Sequence, residues 1–208
     1  MENKPDPIHQ LTEIKNMMEK SSRFLSLSGL SGVSAGIVAL VGAYLAYRAM
    51  GQTPVYDVDA SQIDMKKIIG SELFLIALGT LGFAKLLIFL FTYRKSRMLK
   101  LPVWTSATRR LIYNLAIPLV AGGLFLLKVV DLGYWGLIAP GCLLFYGLSL
   151  VNASRYTIGD IRILGLIEIG LGILNLLFIG QGLLFWTLGF GLAHIAYGIY
   201  MWNKYDKN

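Results

Sequence analysis

The sequence predicts an all-α fold, a six-helix transmembrane bundle with an N-terminal amphipathic cytoplasmic helix, and three observations carry that prediction. The first is apolarity. Of 208 residues 55% are hydrophobic and 15% charged, and the mean hydropathy is +0.60, beyond the range of ordinary soluble domains. The second is that the apolar residues fall in six runs of membrane length or nearly so: Phe24–Tyr47, Ser71–Tyr93, Leu111–Leu127, Tyr134–Val151, Ile161–Ile179 and Leu183–Trp202. Each run mixes Leu, Ile, Val and Phe around the whole helix, as expected where lipid and neighbouring helices are equally apolar.

The third observation is charge segregation. Lys4, Lys15, Lys20, Arg23, Arg94, Lys95, Arg97, Lys100, Arg109, Arg110, Arg155, Arg162, Lys204 and Lys207 fall in segments on one side of the six runs. Only Arg48, Lys66, Lys67 and Lys128 fall on the other, and Lys85 lies within the second run. This is the positive-inside pattern of an even number of spans with both termini in the cytoplasm. Residues 1–23 then form the amphipathic helix and 24–208 a single six-span domain. The net charge of +7 is thereby assigned to topology and to contact with the anionic lipids of the inner leaflet, and no nucleic-acid partner is invoked.

The first run begins only after some two dozen charged and polar residues and is far longer than a secretory h-region, so it is expected to remain as a span. Cys142 is the single cysteine and cannot form an internal disulfide. With only His9 and His194, a histidine-rich metal or haem site is not expected. Nor is there a phosphate loop, a dinucleotide fingerprint or a zinc-binding His-Glu-x-x-His. No cofactor is expected.

In chain order, Asp6-Pro7 reads as an N-cap followed by proline at the first helical position. Leu11, Ile14, Met18 and Leu25 share one face, so Pro7 to Arg23 is expected to lie on the inner membrane surface as a lead-in. In the first span Ser28, Gly32 and Gly36 recur every fourth residue, a face of small side chains for close helix packing. Gly29-Leu30-Ser31-Gly32 resembles the Gly-x-Ser-Gly signature of the rhomboid intramembrane proteases, here in the first span rather than the fourth. That resemblance implies Ser31 as nucleophile and His194 as its base.

The loop after the first span carries Asp57, Asp59 and Asp64, but Gln62 and Ile68 stand where a calcium-binding EF-hand needs glycine and glutamate. Ser61 with Asp64 resembles a capping box that starts the second helix. Lys85 lies about eight residues from Tyr93-Arg94, roughly 12 Å inside by helical rise. It either snorkels to the surface or joins a buried cluster. Tyr93 to Arg110 reads as a long basic connection on the inner surface, broken at Leu101-Pro102, with Trp104 at the interface. Pro118 predicts a kink in the third span. Lys128 and Asp131 mark a short outer turn. Asn152-Ala153-Ser154 matches the glycosylation sequon in letters, but the charge count puts it inside.

The last two runs form a hairpin about Gly180-Gln181-Gly182. Counted from Gln181, Asn175 matches Thr187 and Glu168 matches His194. Equal counts in antiparallel helices mean equal depth, about 1.5 Å per residue, which places Glu168 and His194 roughly 20 Å from the turn. An ionisable residue at that depth is costly without a partner. Gly165, Glu168, Gly172 and Asn175 share one face of the fifth helix, and Thr187, Gly191, His194 and Gly198 one face of the sixth. The two faces are expected to meet, with glycines permitting close contact. The final residues after Trp202 are expected to fray.

The stretch Met17 to Gly32, Met-Met-Glu-Lys-Ser-Ser-Arg-Phe-Leu-Ser-Leu-Ser-Gly-Leu-Ser-Gly inclusive of Met18, resembles the beginning of an uncharacterised group of small multi-pass bacterial inner-membrane proteins. That resemblance implies the setting and no activity. Three functional classes remain. One is a structural or regulatory membrane protein, acting alone, as a homo-oligomer or with a membrane partner. Another is a small proton- or ion-coupled transporter using Glu168, His194 and Lys85. The third is the serine hydrolase implied by Ser31 and His194.

Overall fold

The computed structural model describes residues 28–51, 71–100 and 102–207. Among them there is no strand, and six helices follow one another. These are α1 (Gly29–Met50), α2 (Glu72–Met98), α3 (Ser106–Asp131), α4 (Ile138–Ala153), α5 (Ile161–Leu177) and α6 (Ile179–Asp206). Single 3₁₀ turns, Trp135–Leu137 and Ser154–Tyr156, extend α4 at both ends. The expected amphipathic helix over 1–23, the start of the first run at Phe24 and the Ser61–Asp64 cap lie outside the described residues. Five helices are long and apolar enough to cross a membrane: α1, α2, α3, α4 with its flanking turns, and α6. The fifth helix, α5, is shorter at 17 residues.

Local chemistry sets the helix ends. Ser71 Oγ accepts from the Phe74 N–H at 3.2 Å, and Glu72 occupies the first turn, where a negative charge suits the helix dipole. Helix α2 runs past Tyr93 and carries Arg94, Lys95 and Arg97 in its last turns. It ends where Lys100 turns left-handed (φ 53°) and Pro102 follows. Thr105 and Thr108 then cap α3 reciprocally, at 3.1 and 3.3 Å. The long basic connection expected over Tyr93 to Arg110 is therefore mostly helix, with a short link between α2 and α3. Pro118 is carried within a continuous α3.

Helix α1 packs between α2 and α6, while α4 packs between α3 and α5 and also meets α6. The centre is thus α1, α6, α4 and α5, flanked by α2 and α3. The predicted glycine faces exist but serve other neighbours than expected. A Cβ on Gly36 would lie 2.6 Å from the Gly191 carbonyl oxygen, and one on Gly32 3.1 Å from Gly198 Cα, so Gly191 and Gly198 of α6 pack on α1. Gly165 and Gly172 of α5 pack on α4, against Gly147 and Leu144. Side-chain periodicity marks a close-packing face without naming the helix that covers it.

The C-terminus does not fray as expected among the described residues. Trp202–Asp206 continue as a π-helical segment. Asp206 accepts from the Gly29 N–H at 2.8 Å, from Ser28 Oγ at 3.1 Å and from Lys95 Nζ at 2.5 Å. One carboxylate so caps the N-terminus of α1, where the helix dipole favours negative charge, and ties it to the ends of α2 and α6. Nearby, Asp160 in the α4–α5 link accepts from Lys204 Nζ at 2.7 Å and from the Tyr205 hydroxyl at 3.1 Å. The Lys204 hydrogen bond holds the Asp160 carboxyl below the usual carboxylate range.

Candidate functional site

Where α4, α5 and α6 converge, Leu150, Ile161 and Leu164 form an apolar cluster flanked by Tyr146 and Tyr197. Beside it lies Glu168, fully buried at 0% exposure. Its Oε1 stands 3.3 Å from Nδ1 of His194, which is itself buried. Neither carboxylate oxygen has a hydrogen bond among the described residues.

The position of His194 depends on an irregular α6. An α-helical turn, Gly182–Trp186, leads into a π-helical segment, Thr187–Ala193, and α-helix resumes at His194. Such wide turns are uncommon and concentrate at functional sites. Gly189 lies within this segment, and a Cβ there would sit 2.5 Å from Glu168 Oε2. The missing side chain is what lets the carboxylate reach the α6 backbone.

His194 uses both ring nitrogens. Nδ1 lies 3.0 Å from the Gly189 carbonyl oxygen, and Nε2 2.8 Å from the Tyr146 hydroxyl. A carbonyl can only accept, so Nδ1 carries a hydrogen and donates it to Gly189, with Glu168 Oε1 alongside at 3.3 Å but not hydrogen-bonded. With a neutral imidazole, Tyr146 donates to Nε2; with an imidazolium, Nε2 donates to the tyrosine oxygen. One geometry accommodates both protonation states. Tyr146 and Phe190 also stack on the imidazole, with centroids 5.4 and 6.0 Å away.

The other predicted residues stand apart from this pair. Asn175 donates to the Phe178 carbonyl at 3.1 Å and Thr187 to the Leu183 carbonyl at 2.7 Å, each within its own hairpin arm and not to the other. Lys85 is exposed on α2, which packs chiefly on α1, and is not part of the buried cluster. Ser31 Oγ donates to the Ser28 carbonyl at 2.5 Å, while both nitrogens of His194 are bonded elsewhere, so no serine–histidine dyad forms. Tyr146 and Gly189 were missed from the sequence. Tyr146 is one of three hydroxyls in its run, beside Tyr134 and Ser149, and Gly189 is one of many glycines, so neither pattern nor spacing singles them out. No family model, curated protein or solved structure matches the chain.

Proposed function

We propose that this chain is a six-span protein of the bacterial inner membrane with both termini in the cytoplasm, and that Glu168 and His194 form the proton-binding site of a small proton-coupled carrier. The membrane setting is supported by the five long apolar helices. The orientation is supported by the charge segregation, since the C-terminal ends of α2 and α6 and the start of α1 join at Asp206 and share an end rich in lysine and arginine.

The observation that carries the carrier reading is the fully buried carboxylate whose oxygens have no hydrogen bond and whose near neighbour is an imidazole. A pair kept only for stability is expected to satisfy its acceptors. Holding one proton, Glu168 and His194 are neutral in sum. Losing that proton leaves a net negative charge in an apolar interior, which favours a change of packing or uptake of a cation. Exchange of a proton for a conformational change is the elementary step of a coupled carrier.

A structural or regulatory role is the second reading, favoured by the glycine crossings of α1 with α6 and α4 with α5. A deletion strain complemented with Glu168→Gln or His194→Ala separates the two. The carrier reading expects both variants, present at wild-type levels in the membrane, to fail to restore the growth or stress phenotype. Full rescue by both would leave the pair without a transport role.

A further inference from the structure

Helix α2 holds to the bundle by one side. Thr80 meets Gly42 of α1, and along the whole helix only Thr92 and Ser96, near its basic end, are buried. About half a turn round from Thr80, Leu78, Gly82, Lys85 and Phe89 stand in one row, spaced four, three and four, and all are exposed. A Cβ on Gly82 would meet nothing within 4 Å. This is the spacing of a seam between two packed helices, and no described element covers it.

Lys85 makes the row more than a surface for lipid. It is the one charged residue between Glu72 and Arg94, roughly 20 Å from the first and roughly 14 Å from the second by helical rise. That is near the middle of an apolar core about 30 Å thick. A helical Cβ leans toward the helix N-terminus, so the lysine stem leads away from the nearer, basic end. Its four carbons fall short of either surface. The ammonium has no hydrogen bond or ion pair among the described residues. A lone charge in hydrocarbon is costly and calls for a partner of opposite sign.

The described part of the chain holds no such partner. Glu72 and Asp131 stand at helix ends, Asp160 and Asp206 are bonded at the basic end, and Glu168 is fully buried. A second copy docked two-fold through the same row would set Lys85 against Lys85. The stem of Lys85 lies over Gly82, one turn toward the N-terminus, and the glycine leaves room for another helix backbone beside the ammonium.

We propose that this face of α2 docks a transmembrane helix of another protein, one that carries an aspartate or glutamate at the level of Lys85. Lys85 pairs with that carboxylate, and Gly82 admits the partner backbone closely. The proposal rests on the membrane reading above and is independent of the role given to Glu168 and His194.

The test reads energy transfer in phosphatidylcholine vesicles between the full chain and model transmembrane helices. The chain is labelled at Leu132→Cys, with Cys142 replaced by alanine, and the acceptor-labelled helices are leucine–alanine sequences that differ in one central residue, Glu or Leu. The Glu helix is expected to bind about three- to thirtyfold better, the factor for one interhelical polar contact. Lys85→Leu should abolish the preference and Lys85→Arg should keep it. Gly82→Leu should cut binding of the Glu helix severalfold without lowering thermal unfolding of the chain in detergent, since nothing of its own bundle is near. Equal binding of the two helices by wild type, a preference that persists in Lys85→Leu, or undiminished binding by Gly82→Leu would overturn the docking face. Transfer between two copies of the chain that is lost in Gly82→Leu would give the face to a homodimer. Binding of the Glu helix only after Asp57, Asp59 and Asp64 are changed to asparagine would give it to the chain's own loop. Either of these results overturns the partner helix. Failure of the chain to stay with the vesicles would instead overturn the membrane reading itself.

Discussion

The most consequential residue is Glu168, because a carboxylate without water must be answered by its neighbours. Glu168→Leu or His194→Leu alone strands the other partner and should cost about 3–5 kcal/mol, whereas the double change should recover part of that loss. A coupling of about 0.5–3 kcal/mol in a double-mutant cycle, read by thermal unfolding in detergent, is the expected result. Simple additivity would dissolve the pair. At the end of the bundle that holds Asp206, Asp160 has a folded-state pKa below its ordinary value of 3.8 because Lys204 bonds its charged form. Its contribution is therefore complete above about pH 4 and is lost as pH falls through the lower folded value. Amide exchange over Tyr200–Lys207 should stay protected from neutrality to pH 4 and rise below it. Asp160→Asn should flatten that profile.

At the scale of elements, the glycine rhythm of α1 was legible because recurrence every fourth residue marks one helical face. Its partner was not, because the same rhythm occurs on α5 and α6 and the chain does not say which pairs cross. The predicted meeting of α5 and α6 is made at Gly189, while Gly191 and Gly198 turn to α1. The Glu168–His194 match survived this error because depth follows from residue counts across a short turn, whichever glycines line the face. The cap by Asp206 was invisible for a different reason: its partners, Gly29 and Lys95, are more than a hundred residues away. Gly36→Val forces a Cβ to 2.6 Å from the Gly191 carbonyl and 2.9 Å from the Ile195 nitrogen. Both are backbone atoms, so α1 and α6 must separate at a cost of about 1–3 kcal/mol. Gly79→Ala on α2 meets nothing within 4 Å. It should be neutral or stabilising by up to about 1 kcal/mol through helix propensity. Thermal unfolding of the two variants side by side checks the assignment of faces.

For the whole molecule the decisive question is which end faces the cytoplasm, and the fold makes that question sharper than the sequence did. Arg94, Lys95 and Arg97 lie in the last turns of α2, Lys204 near the end of α6, and Asp206 joins these ends to the start of α1. The basic segments therefore gather at one end of a single bundle instead of scattering along loops. The opposite end has Arg48 near the close of α1 and Lys128 near the close of α3 among the described residues. Each basic residue close to an anionic leaflet contributes about 1 kcal/mol, and such a difference orients short-loop proteins at insertion. Met98, 75% exposed at the end of α2, and Leu132, 56% exposed just after α3, report the two ends. With Cys142 replaced by alanine, Leu132→Cys should react with a membrane-impermeant maleimide added to intact cells, whereas Met98→Cys should react only after the membrane is opened. The reverse labelling would invert the protein in the bilayer. Labelling of both sites from outside would show that the helices do not cross as a single oriented bundle.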